Sequence, residues 1–369
     1  MNNRYINDID ELDNLVSLNL QQRRSMERVA EVFPLRSNEY YLSLINWEDP
    51  EDPLKKIVIP DERELDENGS LDPSAEKNYT KKRGVQHKYD QTALLLLSDL
   101  CGGFCRFCFR KRLFMNEDRE IIKDISSGID YVRSHPEITD VLLTGGDPLM
   151  LPTGTLERVL KDLREIDHVQ IIRIGTKMPA YNPFRILNDP RLLDAIHRYS
   201  TPEKRIYIMA HFTHPNELTD VAIKALDSLK QSGAIVVNQT PLLQTINDHP
   251  DILTQLLRKL AFIGVQPYYI FQCRPTIGNR FFAVPVERSS DIIQRAFAQC
   301  SGLAKRARYI MSHATGKIEV MGELGDRMLM RYHQAALREK IGECMIFKKN
   351  PHAMWFDDYL RESTINLTI

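Results

Sequence analysis

Residues 92–112 of the chain, TALLLLSDLCGGFCRFCFRKR, place a short apolar run directly before a loop that carries three cysteines. The apolar run that contains Leu94–Leu97 is short and lies between the polar residues Thr92 and Ser98, which favours a buried β-strand over a helix. The sequence therefore predicts a strand that presents Cys101, Cys105 and Cys108 just beyond its carboxyl end.

The same order of elements, an apolar run followed by a polar or glycine-containing loop and an amphipathic stretch, recurs along the chain. The predicted strands are Leu94–Leu97, Val141–Thr144, Val169–Ile174, Arg205–Ala210, Ala234–Asn238 and Gln266–Gln272. The predicted helices are Arg119–Arg133, Leu156–Glu165, Asp189–His197, Asn216–Ser232, Pro250–Phe262 and Arg288–Ala298. Strands that alternate with helices pair in parallel through right-handed crossovers, which indicates a barrel or an open wound sheet.

Polar or glycine residues follow all six predicted strands, as a barrel with one central mouth requires. After the cysteines, these are Thr144–Pro148, Gly175–Lys177, His211, Gln239 and Arg274. We therefore expect an α/β fold, an incomplete (βα)6 TIM-like barrel with a helical N-terminal extension and a C-terminal appendage.

Three parts of the chain are expected. Residues 1–92 form a helical extension and linker, in which the acidic stretch Asp61–Lys77 is predicted to be an exposed loop. Residues 93–304 form the partial barrel. Residues 305–369 form a C-terminal segment with a predicted hairpin of Arg308–Met311 and Lys317–Met321, followed by an aromatic tail.

The composition limits the class of protein. The 369 residues are 43% hydrophobic and 27% charged, which is typical of a globular protein, and the net charge of -1 provides no overall attraction to nucleic acid or anionic membranes. The apolar stretch Ala93–Leu97 is too short to span a bilayer, and the acidic N-terminus lacks the apolar core of a signal peptide. We expect a cytoplasmic protein with reduced cysteines.

Cys101, Cys105 and Cys108 supply three thiolates within eight residues. No histidine or fourth cysteine lies nearby at the spacing of a closed zinc site. Three cysteines on a [4Fe–4S] cluster would leave one iron open to another ligand. The spacing favours the cluster, with zinc or structural thiols as the alternatives.

This spacing, with Phe107 directly before the third cysteine, resembles the radical S-adenosylmethionine superfamily. The resemblance implies that the open iron binds S-adenosylmethionine, whose reductive cleavage yields a radical that abstracts hydrogen from the substrate. Gly145, Gly146 and Asp147 resemble the motif that binds the methionine amino group. The alternative is an ordinary glycine-rich turn before a helix.

Longer stretches resemble the lysine 2,3-aminomutase family. They are Phe33–Arg36, Tyr41–Ile45, His87–Tyr89, Leu94–Leu97, Cys105–Arg112, His214–Glu217, Asn238–Thr240, Asn247–Asp248 and Pro267–Ile270. This family pairs S-adenosylmethionine with pyridoxal phosphate (PLP) and moves an α-amino group to the β-carbon. The resemblance thus implies an amino-acid substrate and a one-electron donor such as flavodoxin or ferredoxin.

Individual roles follow from the same resemblance. Arg110 would clamp the substrate carboxylate, a task suited to a bidentate guanidinium. Lys88 and Tyr89 fall where the family builds part of its PLP site, and His211 and Gln239 fall where it contacts S-adenosylmethionine.

Two of these residues have simpler interpretations. Arg110 belongs to an Arg-Lys-Arg run that would ordinarily be a solvated basic loop. His211 and His214, with Glu217, could form a zinc site, or a strand end, a turn and the start of a helix.

The chain departs from the lysine enzymes at the residues that hold the distal ammonium group. Two aspartates serve there in the family, whereas this chain has Arg274 and Ser312. A cation should repel a lysine side chain and attract a carboxylate. A similar inversion marks glutamate 2,3-aminomutases, so we expect a small acidic amino acid as the substrate.

Lys317 is predicted to be the PLP lysine, although its segment Ser312–Glu319 has few of the glycines that hold the phosphate in the family. Thr92 also stands where the family tends to carry an arginine. The alternative is a PLP-independent radical enzyme that abstracts hydrogen from another metabolite or a protein side chain. A non-catalytic iron–sulfur scaffold or zinc-binding module is the third hypothesis. The terminal segments are compatible with a homo-oligomer, or with packing on their own barrel.

Overall fold

A computed structural model describes residues 4–115 and 120–361, which belong to two compact units. The first unit contains the chain up to Glu62 together with Lys77–Phe212 and Asn216–Val237. The second contains Arg63–Glu76, Thr213–Pro215 and the chain from Asn238 onward. The three-part division expected near residues 92 and 304 stays a prediction.

The first unit combines a helical N-terminal region with the first βα repeats. Its strands are β1 (Tyr5–Ile6), β2 (Ser37–Asn38), β3 (Thr80–Lys82), β4 (Val85–Tyr89), β5 (Thr92–Ser98), β6 (Asp140–Gly145), β7 (Ile171–Thr176) and β8 (Ile206–Ala210). Its α-helices are α1 (Ile9–Val16), α2 (Leu20–Ala30), α3 (Glu39–Leu42), α4 (Pro53–Val58), α5 (Ile125–Arg133), α6 (Thr153–Arg164), α7 (Met178–Tyr181), α8 (Phe184–Leu187), α9 (Pro190–Tyr199) and α10 (Asp220–Gln231). Strands β5 to β8 pair in parallel in sequence order, and the antiparallel strands β4 and β3 extend the sheet beyond β5.

The packing of this unit explains its elements. Strand β5 is almost wholly buried, as expected for a parallel strand that is covered on both faces. Helix α6 buries Leu156, Val159, Leu160 and Leu163, whose spacing places them on one face. The repeating pattern of the sequence therefore produces a layered parallel sheet, and the candidate site residues of this unit follow the carboxyl ends of its parallel strands.

The second unit contains strand β10, a parallel neighbour and an antiparallel meander that continues from that neighbour. Strand β9 (Ile235–Leu242) begins in the first unit and continues into this one. The remaining elements are β10 (Gln266–Gln272), β11 (Arg308–His313), β12 (Gly316–Leu324), β13 (Arg327–Ala335), β14 (Cys344–Lys348), α11 (Pro250–Phe262), α12 (Val286–Ala298) and α13 (Phe356–Arg361). Strand β11 is parallel to β10, and β11 to β14 form an antiparallel meander. The aromatic tail, including Trp355 and Phe356, is buried in the core of this unit.

The predicted strands and helices are present, with shifts of a few residues at their ends. The predicted helix Arg119–Arg133 is too long at its start: residues 120–124 are not helical, and α5 begins at Ile125 because the Asp124 side chain caps it by accepting from Ser126 N. Arg119 itself lies outside the described residues. The acidic stretch differs from a free linker: Ser70 N donates to Pro275 O at 3.0 Å, and Gly278 N donates to Asp66 O at 3.0 Å. These backbone bonds attach residues 63–76 to the loop after β10. Among residues 4–115 and 120–361, no helix is long and apolar enough to cross a membrane.

Candidate active site

The cysteine loop follows β5 and is held by the N-terminal segment of the first unit. Arg36 Nε donates to the Cys101 carbonyl at 2.7 Å, and Asn38 Nδ2 donates to the Gly102 carbonyl at 2.8 Å. Phe104 N in turn donates to Arg36 O at 2.8 Å. The loop is therefore fixed from outside as well as by its own turns.

The three thiols form a donor set suited to iron. Burial raises the pKa of Cys101, and the neighbouring Cys105 and Cys108 raise it further. Burial raises the pKa of Cys105 to about 12, against the opposing charge of Lys177. Within residues 4–115 and 120–361 no three Cys, His, Asp or Glu side chains are already arranged as a metal site. Three soft sulfur donors in one half-buried loop fit an iron–sulfur cluster, since metal binding stabilises thiolates that burial disfavours.

The basic run after the third cysteine is buried, so its interpretation as a solvated loop is wrong. Arg110 is 8% exposed, and Lys111 and Arg112 are more buried still. Two hydrogen bonds of 2.8 and 2.9 Å join the Arg112 guanidinium to the Glu120 carboxylate. Arg110 NH1 donates to Thr144 Oγ1 at 3.2 Å, at the end of β6. The buried Arg110 guanidinium thus lies in the loop after β5 and contacts the end of β6.

The Gly145-Gly146-Asp147 turn packs directly against the backbone that leads into the cysteine loop. A Cβ on Gly146 would lie 2.4 Å from Leu100 O, and Gly145 has a φ of +121°. Burial raises the pKa of Asp147 to about 6, whereas hydrogen bonds to its carboxylate, including 2.8 Å bonds from Thr176 Oγ1 and Lys177 N, favour the ionised form. Both glycines are required by close packing, and Asp147 ties the turn to the end of β7. Contact of this turn with S-adenosylmethionine stays a prediction.

His211 lies at the carboxyl end of β8 with a buried ring nitrogen available for a ligand. Its Nε2 atom has no hydrogen-bond partner in the described part of the chain. Its ring centroid is 5.8 Å from that of Phe107. Burial lowers the pKa of His211 well below its usual value, with a further contribution from the charge of Lys177. A neutral, unpaired imidazole beside the cysteine loop fits the predicted contact with a polar cofactor, because buried polar atoms are normally paired.

Glu217 does not serve as a zinc ligand in this arrangement. Its Oε1 atom accepts a hydrogen bond of 2.7 Å from Tyr41 OH and lies 2.6 Å from Lys177 Nζ. Lys177 Nζ also donates to the His211 carbonyl at 3.0 Å. This buried ion pair replaces the zinc alternative for Glu217. The sequence predicts Lys177 at a strand end and Glu217 near the start of a helix, but it does not predict that the two side chains pair.

Sequence reasoning missed Tyr181, which lies in the short helix α7. Its hydroxyl is 2.9 Å from Cys105 Sγ, and its side chain is 1% exposed. No local motif marks this residue, because 76 positions separate it from Cys105. Lys88 and Tyr89 lie at the end of β4, where Lys88 Nζ is 4.9 Å from the centroid of the Tyr79 ring.

The remaining predicted residues belong to the second unit. Gln239 lies in β9, Arg274 follows β10, and Lys317 is the second residue of β12. Lys317 Nζ donates to Gln334 Oε1 at 2.8 Å and lies 5.4 Å from the centroid of the Tyr269 ring. The half-buried amine of Lys317 fits the aldehyde end of PLP. The preceding residue, Gly316, has a packing role, because a Cβ there would lie 2.2 Å from Gln334 O. That glycine is therefore required by strand packing.

Comparisons with known proteins identify the family of the chain. Residues 95–256 match the radical SAM superfamily. The chain is 52% identical over 357 residues to an Aquifex aeolicus (strain VF5) protein named "Putative L-lysine 2,3-aminomutase", covering 96% of this chain and 95% of that protein. The chain belongs to the lysine 2,3-aminomutase family.

Two further relatives show the breadth of this family. L-lysine 2,3-aminomutase of Clostridium subterminale is 35% identical over 300 residues, covering 80% of this chain and 71% of the relative. Glutamate 2,3-aminomutase of Clostridioides difficile (strain 630) is 35% identical over 302 residues, covering 81% and 70%. The family thus includes enzymes named for a basic and for an acidic amino acid.

Family membership confirms several predictions. The α/β partial-barrel fold class is correct, and the protein is a radical S-adenosylmethionine isomerase that acts on an amino acid. The superfamily uses a [4Fe–4S] cluster and S-adenosylmethionine, and lysine 2,3-aminomutases are PLP-dependent. The non-catalytic scaffold hypothesis is therefore wrong. The role of each site residue stays a prediction.

Proposed function

We propose that the protein is a PLP-dependent radical S-adenosylmethionine 2,3-aminomutase that acts on a small acidic amino acid, such as glutamate. The substrate assignment rests on Arg274, a cation at the position where lysine enzymes have an aspartate. Arg274 lies in a loop whose backbone is held by two hydrogen bonds: Ser70 N donates to Pro275 O, and Gly278 N donates to Asp66 O. A guanidinium carried on such a backbone favours a distal carboxylate over an ammonium group.

Each candidate site residue has a proposed role in binding the cluster, S-adenosylmethionine or the substrate. Cys101, Cys105 and Cys108 would hold the cluster, and His211, Phe107 and the Gly145–Asp147 turn would contact S-adenosylmethionine together with Gln239. Arg110 would bind the α-carboxylate, and Arg274 the distal carboxylate.

Lys317 would hold PLP, with Lys88 and Tyr89 contributing to its site. When bound, PLP supplies a conjugated system that stabilises a radical during amino migration. Gln334, which accepts a hydrogen bond from Lys317 Nζ, keeps the amine at one position of the β12–β13 pair.

Reduction of the cluster requires a one-electron donor, for which we infer flavodoxin or ferredoxin. We infer a cytoplasmic location because that compartment keeps the cysteines reduced. Assembly into a homo-oligomer stays a prediction.

The substrate is tested by supplying glutamate, aspartate and lysine to the anaerobic, reconstituted enzyme and measuring β-amino acids by mass spectrometry. Product is expected from an acidic substrate. Arg274→Asp should lower kcat/KM for it by at least roughly 10- to 100-fold, because it removes one charged hydrogen bond and also sets a carboxylate against that of the substrate. Arg306→Asp, at an exposed arginine of the same unit, is the matched control. Turnover of lysine without turnover of glutamate or aspartate would refute the substrate assignment.

PLP use is tested separately by adding PLP, reducing with borohydride and locating the pyridoxyl adduct by peptide mass spectrometry. The adduct is expected on Lys317, lost in Lys317→Ala and retained in Lys161→Ala, where the lysine is exposed. One observation favours the PLP-independent alternative: Thr315 N donates to His313 Nδ1 at 3.2 Å, so this turn amide already has an acceptor. Absence of an adduct in protein that still cleaves S-adenosylmethionine would support that alternative.

A further inference from the structure

The buried tyrosine beside the cysteine loop has a position that the amino-migration chemistry does not explain. Tyr181 closes helix α7, and its ring lies against the loop at Gly103, where an added Cβ would be 3.3 Å from Tyr181 Cζ. A Cβ on Gly102 would lie 2.6 Å from Met178 Sδ of the same helix. The two glycines therefore allow the loop to approach the helix until the Tyr181 hydroxyl lies 2.9 Å from Cys105 Sγ.

The surroundings of the ring fix this hydroxyl. The Tyr41 ring packs edge-to-face on Tyr181 with centroids 4.6 Å apart, and Lys177 Nζ lies 5.2 Å from the Tyr181 ring centroid. Lys177 is itself held by Glu217. Tyr181 N also donates to Lys177 O at 2.8 Å, which fixes the backbone from which the ring projects.

The two packed tyrosines differ in their acceptors. The Tyr41 hydroxyl donates to the Glu217 carboxylate, whereas the Tyr181 hydroxyl faces sulfur. A phenol is a donor at neutral pH, and a cysteine that binds iron is a thiolate, which can only accept. With the cluster in place, Tyr181 is therefore the donor and Cys105 the acceptor.

We propose that Tyr181 is a positioning residue that raises the reduction potential of the cluster by donating a hydrogen bond to Cys105. One electron from a one-electron reductant converts [4Fe–4S]2+ to [4Fe–4S]+, and no bond is made or broken in this step. The added negative charge spreads onto the sulfurs, so a hydrogen bond to one of them stabilises the reduced state more than the oxidised state. The proposal is independent of the substrate and of PLP.

The test is a potentiometric titration of the full-length, cluster-loaded protein with dithionite, followed by electron paramagnetic resonance of the reduced cluster. Tyr181→Phe should shift the midpoint potential to a more negative value. Tyr41→Phe is the matched control, because it removes a buried hydroxyl from the same ring pair without touching sulfur or removing a charge. Its midpoint potential should equal that of the wild type.

Two results would overturn the proposal: an unchanged potential in Tyr181→Phe, or equal shifts in both variants. If Tyr181→Phe does not retain its cluster, 3-fluorotyrosine at position 181 decides the question, because fluorine makes the hydroxyl a stronger donor and leaves the ring in place. A more positive potential is then expected. An unchanged or more negative one refutes the role of the hydrogen bond.

Discussion

The Nζ atom of Lys177 lies 2.6 Å from Oε1 of Glu217, and these side chains are 6% and 0% exposed. Tyr41 OH donates a hydrogen bond to Glu217, and Lys177 Nζ donates one to the His211 carbonyl. A buried pair of this kind gains little over apolar packing, but loss of one partner leaves a charge that water cannot reach.

Glu217→Gln should therefore destabilise the protein by about 3–5 kcal/mol, because the Lys177 ammonium loses its counter-charge. Glu165→Gln, in the exposed Lys161–Glu165 pair with an N–O distance of 3.8 Å, should change stability by less than about 0.5 kcal/mol. Urea denaturation followed by circular dichroism measures both. Similar small shifts in the two variants would mean that the buried pair does not contribute as argued.

Gly146→Ala should disrupt the turn that packs on the entry to the cysteine loop. The new Cβ would lie 2.4 Å from Leu100 O, so the backbone must move, at a cost of about 1–3 kcal/mol or more. Iron content after anaerobic reconstitution and the urea midpoint should both fall. Gly154→Ala, at a position in α6 with open space around it, should keep the full iron content. Retention of cluster and stability in Gly146→Ala would contradict the packing argument.

His333 should make stability depend on pH. Its Nε2 atom is 2.9 Å from Tyr269 OH, and burial lowers its pKa below the ordinary 6.5. The titratable and charged groups around it are Tyr269 on β10, Arg308 on β11, Lys317 and Glu319 on β12, and Arg331 on β13. The three cations lower the pKa, and Glu319 opposes them.

Because the folded state favours the neutral ring, the unfolded chain binds more protons as the pH falls below 6.5. The contribution of His333 is thus present above the unfolded pKa and is lost as the pH falls through the lowered folded pKa. Urea midpoints of the wild type and His333→Gln, compared from about pH 8 to about pH 5, should show a shallower slope in the variant. Parallel slopes would exclude His333 as the source.

Arg110→Lys should raise KM for the amino-acid substrate by roughly 10- to 100-fold, because a single ammonium cannot replace a bidentate guanidinium on a carboxylate. Thr144→Val, which removes the hydroxyl that accepts from Arg110 NH1, should have a smaller effect. Steady-state kinetics of both variants test this. An unchanged KM in Arg110→Lys would mean that another residue binds the α-carboxylate of the substrate.

The strands of the parallel sheet were predictable because both of their faces are buried. Continuous apolar runs such as β5 follow from that burial, and α11 was predicted to the residue because its start and its apolar period are both local signals. Strand β13 is not predicted from the sequence, although Met328, Met330 and Tyr332 alternate along it on its buried face.

The candidate site also combines features that local sequence predicts with features that depend on tertiary packing. The spacing of three cysteines within eight residues favours a cluster, whereas the Tyr181–Cys105 contact depends on how two distant turns pack. The fixed position of residues 63–76 also depends on backbone bonds to the loop after β10, which an acidic composition does not reveal.

The attachment of the cysteine loop to residues 33–38 has a consequence for protein engineering. The superfamily match begins at residue 95, but Arg106 NH1 and NH2 donate to the Pro34 and Phe33 carbonyls at 2.9 and 3.1 Å. A shortened protein or a chimera that starts where the similarity starts would remove these two backbone acceptors of the buried Arg106 guanidinium. A transplantable catalytic module therefore has to include residues 33–38.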